Sequence, residues 1–239
     1  MAQQSSDDAV KAVQILEEYR EQQIPLWMSD FGNLARYRDA NAKLAFVSSN
    51  GDRVVFLGDS ITDSWDLTKY FPGKPYIDRG ISGQTTPQML IRFRADVIDL
   101  KPKAVVILAG TNDIAGNTGP MTPAEIEANY ATMAELARIH GIRVVLSSVT
   151  PVSNYGELSK VFFPLRSPAQ ILELNRWMKD FCTRNDCVYL DYFSALVDDK
   201  GLMRADLAED GLHPNDRGYA MMAPLAQKAI AQALARGSH

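Results

Sequence analysis

The chain has 239 residues, 46% of them hydrophobic and 23% charged, with a formal net charge of −4. That balance fits one ordinary soluble globular domain. The acidic excess, with no block of Lys or Arg, argues against nucleic acid as the main partner. No apolar run approaches the ~20 residues that a membrane-spanning helix needs.

Residues 7–20 place Val10, Val13, Ile15, Leu16 and Tyr19 close to helical spacing. Pro25 interrupts, and a helical pattern resumes over 31–46 through Leu34, Tyr37 and Leu44. We read residues 1–50 as a helical arm packed on a main domain, 51–236, rather than as a second domain. Asn50-Gly51 makes the turn between them, and 237–239 (Gly-Ser-His) resemble the remnant of a purification tag. If both ends were engineered, a secretion signal ahead of Gln3 is the expectation, placing the protein outside the cell or in the periplasm, with the cytoplasm as the alternative.

The apolar, β-branched run 54–57 predicts a buried strand that stops at Gly58-Asp59-Ser60. A second short strand is expected over 76–80. A helix over 87–100 follows, capped by Thr85 or Thr86 with Pro87 in its first turn. The near-continuous apolar run 104–109 predicts a central strand buried on both faces, ended by Gly110-Thr111-Asn112-Asp113. Thr122 and Glu125 form a capping box for a helix reaching His140, where Gly141 closes it. A fourth strand spans 143–149, and 154–168 reads as a long loop carrying Tyr155, Phe162, Phe163 and Arg166.

Residues 168–185 carry an apolar face of Ile171, Leu174, Trp177, Met178 and Phe181; a fifth strand spans 188–191, and a last helix covers 216–234. Strands alternating with helices imply a parallel sheet covered on both faces. Cys182 and Cys187, five apart, are expected to pair in an oxidising compartment or to remain two thiols in the cytosol. With no His nearby they make a poor zinc signature.

Serine after a strand is most often a helix cap, but it also lies beside free N–H groups that favour negative charge. A nucleophilic serine needs a base, and the base needs an acid to orient it. Only three histidines are present. His239 lies in the tag remnant, and His140 suits a helix C-terminus. His213 remains, in a polar loop with Asp210 three residues before it. Gly83 N–H, the Asn112 side-chain amide and Ser60 N–H are the candidate donors to an oxyanion. No Gly-x-Ser-x-Gly elbow is present, which argues against an ordinary α/β-hydrolase.

Four segments, Gly58-Asp-Ser-Ile-Thr62, Gly80-Ile-Ser-Gly83, Gly110-Thr-Asn-Asp113 and Asp210-Gly-Leu-His-Pro214, resemble in order and separation the four blocks of the SGNH (GDSL-type) hydrolases. The resemblance covers about residues 53–235. Residues 79–86 and the following helix resemble the platelet-activating-factor acetylhydrolase-like branch of esterases. The resemblance implies a flavodoxin-like three-layer α/β/α sandwich with a central five-stranded parallel sheet. It implies Ser60 as nucleophile, His213 as base, Asp210 as the orienting acid, and Ser60, Gly83 and Asn112 as the oxyanion hole, with no metal or organic cofactor. The implied reaction is hydrolysis of short-chain, notably acetyl, esters through an acyl-serine.

A carbohydrate O-acetylesterase is the leading expectation, with Asp59, Phe162, Phe163 and Arg166 as candidate substrate contacts. A broad short-chain carboxylesterase, a lysophospholipase-type lipid esterase, an acyltransferase and a catalytically silent carbohydrate-binding protein are the alternatives. The resemblance says little about the N-terminal arm, and the oligomeric state stays open.

Overall fold

The five expected strands form as β1 (Val54–Gly58), β2 (Tyr76–Gly80), β3 (Ala104–Leu108), β4 (Arg143–Ser147) and β5 (Val188–Leu190). All neighbours pair in parallel, in the spatial order β2-β1-β3-β4-β5. The computed structural model describes residues 2–45 and 51–236. The expectations placed on Phe46, on Asn50 and on the tag remnant 237–239 lie outside the described residues.

Helices α1 (Ala2–Asp30) and α2 (Arg38–Ala45) precede the sheet, and α3 (Ser60–Asp63) and α4 (Leu67–Tyr70) follow β1. Helix α5 (Thr86–Asp96) leads to β3, and α6 (Thr111–Ile114) and α7 (Pro123–Ile139) lead to β4. Helices α8 (Ser159–Phe162) and α9 (Pro168–Arg184) lead to β5, followed by α10 (Phe193–Leu196) and α11 (Asp216–Ala235).

Alternation along each strand separates two cores. Val55, Leu57, Val105 and Ile107 face α5, α7 and α9, packing with Phe93, Tyr130, Met133, Leu174 and Met178. Val54, Phe56, Val106 and Leu108 face the other way, onto Trp65, Phe71, Leu196, Met222 and Ile230. With both faces covered, a strand has no solvent side to mark with polar residues, which is why β1 and β3 read as unbroken apolar runs. The result is the expected three-layer α/β/α sandwich around a five-stranded parallel sheet, with a helical N-terminal segment.

The expected capping box at Thr122 forms, and a second one is found at Thr85. Thr85 pairs reciprocally with Gln88, and Thr122 with Glu125. Such caps satisfy N–H groups that a helix start leaves bare, and each is worth about 1 kcal/mol.

Three local expectations are corrected. Helix α1 does not stop at Pro25 but runs through it. The residue is exposed, so water can satisfy the carbonyl that loses its N–H partner, and Trp27 bridges the site by packing edge-on against both Tyr19 and Phe31. The helix predicted to reach residue 100 ends at Asp96 and gives way to a 3₁₀ turn, Ile98–Leu100. Pro102 disfavours helical geometry at Lys101, which adopts φ 48° instead. The predicted loop 154–168 contains α8 and the 3₁₀ turn Phe163–Leu165, packed against α1.

Candidate active site

The sheet order reverses direction at β1, because the chain passes from β1 outward to β2 and then returns to β3 on the other side. A crevice therefore opens beyond the carboxyl ends of β1 and β3. Ser60 is delivered at the end of β1 and Asn112 at the end of β3. Gly58 is needed there because a Cβ would run into the Thr62 side chain, which folds back over the strand end. Asp59 caps α3, accepting Ile61 N–H at 3.0 Å, so Ser60 begins a helix and its own N–H has no intrahelical acceptor.

The structure brings Ser60 to His213, 153 residues away, with Oγ 2.9 Å from Nε2. His213 Nδ1 lies 2.6 Å from Asp210 Oδ2, while Asp210 Oδ1 accepts the backbone N–H groups of Leu212 and His213 at 2.9 and 2.8 Å. Burial alone would raise the Asp210 carboxyl. The His213 ring and the two backbone donors outweigh it and hold the group down at about 2. An ionised Asp210 fixes the proton on Nδ1 and leaves Nε2 as an acceptor facing the hydroxyl. Phe162 sets its ring edge-on to His213, centroids 5.4 Å apart.

The two distal oxyanion candidates are held from several sides. Gly83 has φ +79°, and a Cβ on it would collide with the Tyr19 hydroxyl. Its carbonyl accepts Asn117 Nδ2 at 2.9 Å, and the preceding Ser82 bonds Asp63 through both N–H and Oγ. Asn112 Nδ2 donates to Gln84 O at 3.0 Å, and Asn112 Oδ1 accepts Arg166 Nη2 at 3.0 Å. The arginine, which can only donate, decides which way the amide faces. One N–H of Asn112 goes to Gln84, and the second remains for the crevice.

Arg92, fully buried on α5, stitches the strand end to this loop. It donates to Gly58 O at 3.0 Å, Arg79 O at 2.9 Å, Gln84 Oε1 at 2.6 Å and Asp96 Oδ2 at 3.0 Å. Burial lowers its pKa, and the adjacent Asp96 opposes that shift.

Of the four expected substrate contacts, Asp59 and Phe163 lie away from the crevice, while Phe162 and Arg166 line it. Asp59 is fully buried beneath Ser60, where burial pushes its carboxyl up to about 6 against the Ile61 N–H and the nearby His213 and Arg166. Phe163 packs on the core beside α9 rather than on the crevice. Arg166 borders the crevice but is 4% exposed, its guanidinium engaged by Thr111 Oγ1, Asn112 Oδ1 and Phe162 O. Burial lowers it to about 10, so it stays charged at neutral pH. Phe162 does face the crevice.

Ser60, Gly83, Asn112 and His213 open into a cavity of about 420 Å³. Its walls include Val161, Phe162, Leu165 and Leu212, together with Ile15, Leu16 and Tyr19 of α1. Sequence reasoning missed those three residues as site residues. It also missed the roles of Arg92, Asn117 and Arg166, which act on backbone or amide groups far away in sequence and carry no local signature. A groove of about 640 Å³ lies at the opposite end of β4, beside Arg138, Arg143 and Arg184, and contains none of this constellation.

This chain belongs to the GDSL-like lipase/acylhydrolase family, whose pattern matches residues 56–221. It is similar to esterase TesA of Pseudomonas aeruginosa, 32% identical over 139 residues covering 58% of this chain and 60% of the relative. It is also similar to lipoprotein YqeF of Bacillus subtilis, 30% identical over 139 residues covering 50% of this chain and 57% of the relative. The chain thus spans less than two thirds of the length of these curated relatives. Among solved structures, a candidate acylhydrolase from Bacteroides fragilis is 39% identical, covers 86% of this chain and 99% of its own, and superposes with a TM-score of 0.79.

Proposed function

We propose that this protein is a serine hydrolase of carboxylic esters, with Ser60, His213 and Asp210 as its relay. The observation that carries this reading is the unbroken hydrogen-bond series from Ser60 Oγ through His213 to Asp210, opening beside Gly83 and Asn112. His213 Nε2 takes the Ser60 proton as Oγ bonds to the ester carbonyl carbon. The resulting oxyanion is held by Ser60 N–H, Gly83 N–H and Asn112 Nδ2–H. When the tetrahedral centre collapses, the carbonyl–alkoxy bond breaks and His213 Nε2–H protonates the departing alcohol. Water, deprotonated by the same nitrogen, then adds to the acyl-serine and releases the acid with Ser60 restored.

The walls favour an apolar group. A sugar ring needs many polar partners, and beside the polar Ser64, Ser82, Asn117 and Arg166 the walls present Ile15, Leu16, Tyr19, Val161, Phe162, Leu165 and Leu212. That supports the broad carboxylesterase or lipid-esterase alternative over the carbohydrate O-acetylesterase expected from the sequence. The covalent step is tested with an aryl dialkyl phosphate. One phosphoryl adduct, mapped to Ser60 and absent in Ser60→Ala, is expected. Stoichiometric labelling elsewhere would reject the assignment.

A location outside the cytoplasm is supported by the bond between Cys182 and Cys187 and by the lipoprotein relative in Bacillus subtilis. Among the described residues no helix is long and apolar enough to cross a membrane. Protein isolated from its own host with both thiols free to alkylate would count against this location.

A further inference from the structure

We propose that the N-terminal helix α1 is part of the substrate site: its Ile15, Leu16 and Tyr19 form the wall that receives the acyl chain and sets the length accepted. The inference rests on the ester-hydrolase reading and names the part of the substrate that reading leaves open.

Two observations and one consequence of the proposed reaction carry it. First, residues 12, 15, 16 and 19 share one face of α1. Ala12 and Leu16 are buried, and Ile15, Leu16 and Tyr19 border the cavity that holds Ser60. Second, this face and the chain just past the helix end are anchored at the site itself. Arg20 Nε and Nη2 donate to Gly116 O, just before the Asn117 that holds Gly83, and Gln84 Nε2 and Gln88 Nε2 donate to Gly32 O and Phe31 O at 2.9 Å. The Tyr19 hydroxyl lies so close to Gly83 that no Cβ would fit between them.

Third, the reaction geometry orients the ester. The leaving oxygen must lie within reach of His213 Nε2, on the side closed by Phe162 and Leu212. The acyl chain, on the opposite side of the carbonyl carbon, then runs past Gly83 toward α1. An acetyl methyl fills about one water's share of volume, ~30 Å³. The cavity of about 420 Å³ therefore has room for an acyl chain of several more carbons, ending on Ile15 and Leu16.

The test is a series of p-nitrophenyl esters from acetyl to decanoyl, hydrolysed by the wild type, Ile15→Trp and Leu16→Ala. The measured quantity is the ratio of kcat/KM for octanoyl over acetyl. Ile15→Trp is expected to lower that ratio about tenfold or more, since a chain that no longer fits loses apolar contact along several carbons. Leu16→Ala, which lengthens the slot, is expected to raise the ratio or move the optimum to a longer chain. In parallel, sodium octanoate is titrated calorimetrically into Ser60→Ala, with and without Ile15→Trp. Binding weakened about tenfold by the tryptophan is expected.

A ratio unchanged in both variants, with octanoate affinity also unchanged, would overturn the assignment. So would a uniform loss across all chain lengths with a falling Tm, because that is what a merely structural helix would produce. If the wild type cleaves no ester yet Ile15→Trp still weakens octanoate binding, the wall stands and the hydrolase reading falls.

Discussion

The carboxyl edge of the sheet and the N-terminal helix build one site by different means. At the edge, Ser60 and Asn112 leave β1 and β3 directly, and the loop carrying Gly83 is tied by Arg92, Asp63 and Asn117. Helix α1 is a single exposed element. Val10 is 68% and Met28 84% exposed, and only one face turns inward, held by Arg20 on the Gly116 carbonyl and, just past the helix end, by Gln88 on the Phe31 carbonyl. The family match begins at residue 56, so the first region lies inside it and the second outside. The groups proposed to hold the transition state thus sit on strand ends and the loop tied to them, while the proposed acyl wall sits on a helix that packs on that loop through Tyr19 and Arg20.

This contrast is tested most severely at Ser60. Ser60→Ala is expected to lower ester turnover on the order of 10⁴-fold or more, with Tm unchanged, because the side chain contributes to chemistry rather than packing. Turnover near the wild-type rate would reject it as nucleophile. Asp210→Asn should cost roughly 10²- to 10⁴-fold in kcat, since the imidazole tautomer is no longer enforced while the oxyanion donors remain. Loss of the fold instead would make that carboxylate structural.

Arg166→Met sharpens the comparison, because Arg166 lies on the segment between α8 and α9 yet aims Asn112. A fall in kcat of about 10- to 100-fold, exceeding any change in KM, is expected from a misdirected oxyanion donor. A lowered Tm with kcat intact would restrict Arg166 to packing.

The edge also has a cost that depends on pH. Burial raises Asp59 and Asp113 to about 6 and Asp78 to about 7, above the ordinary carboxylate range near 4. A carboxyl raised in the folded state adds stability that is fully present below its unfolded pKa and is lost as pH rises through the folded one. Asp210, depressed to about 2, acts oppositely: its contribution is present above about 4 and disappears as pH falls toward 2. Thermal unfolding should therefore show Tm highest near pH 4–5 and declining toward pH 7.5. A Tm that rises steadily to pH 7.5 would contradict the burial of these three acids.

The smallest effect on activity is expected at the far end of the molecule. Cys182 and Cys187 are bonded between the end of α9 and the start of β5, away from the strand ends that carry Ser60 and Asn112. The bridge closes a short loop, worth about 2 kcal/mol by loop-closure entropy. Replacing both cysteines by serine should lower Tm by several degrees and leave kcat/KM within about twofold. A large loss of activity would mean that the two ends of the sheet are coupled.

Much of this architecture is legible along the chain because it depends on neighbours in sequence. Apolar runs marked β1 and β3, and Thr85, Thr122 and Glu125 announced their helix starts, since burial on both faces and capping are local properties. Ser60 and His213 could be paired by residue chemistry, with only three histidines to choose from. Asp59 and Phe163 were misplaced because a polar or aromatic side chain beside a reactive one carries no mark of which way it faces. Arg166 reaches Asn112 across 54 residues and Tyr19 meets Gly83 across 64, contacts that no periodicity encodes.

The sequence by itself determined the alternation of strands and helices and left His213 as the candidate base among three histidines, while the four motif blocks, through the family they resemble, implied the sandwich and the roles of Ser60 and Asp210. Only the tertiary structure decided that α1 passes through Pro25, lies along the crevice and turns Ile15, Leu16 and Tyr19 toward Ser60. The docking of one helix on a distant loop depends on packing between surfaces that the chain order does not make adjacent.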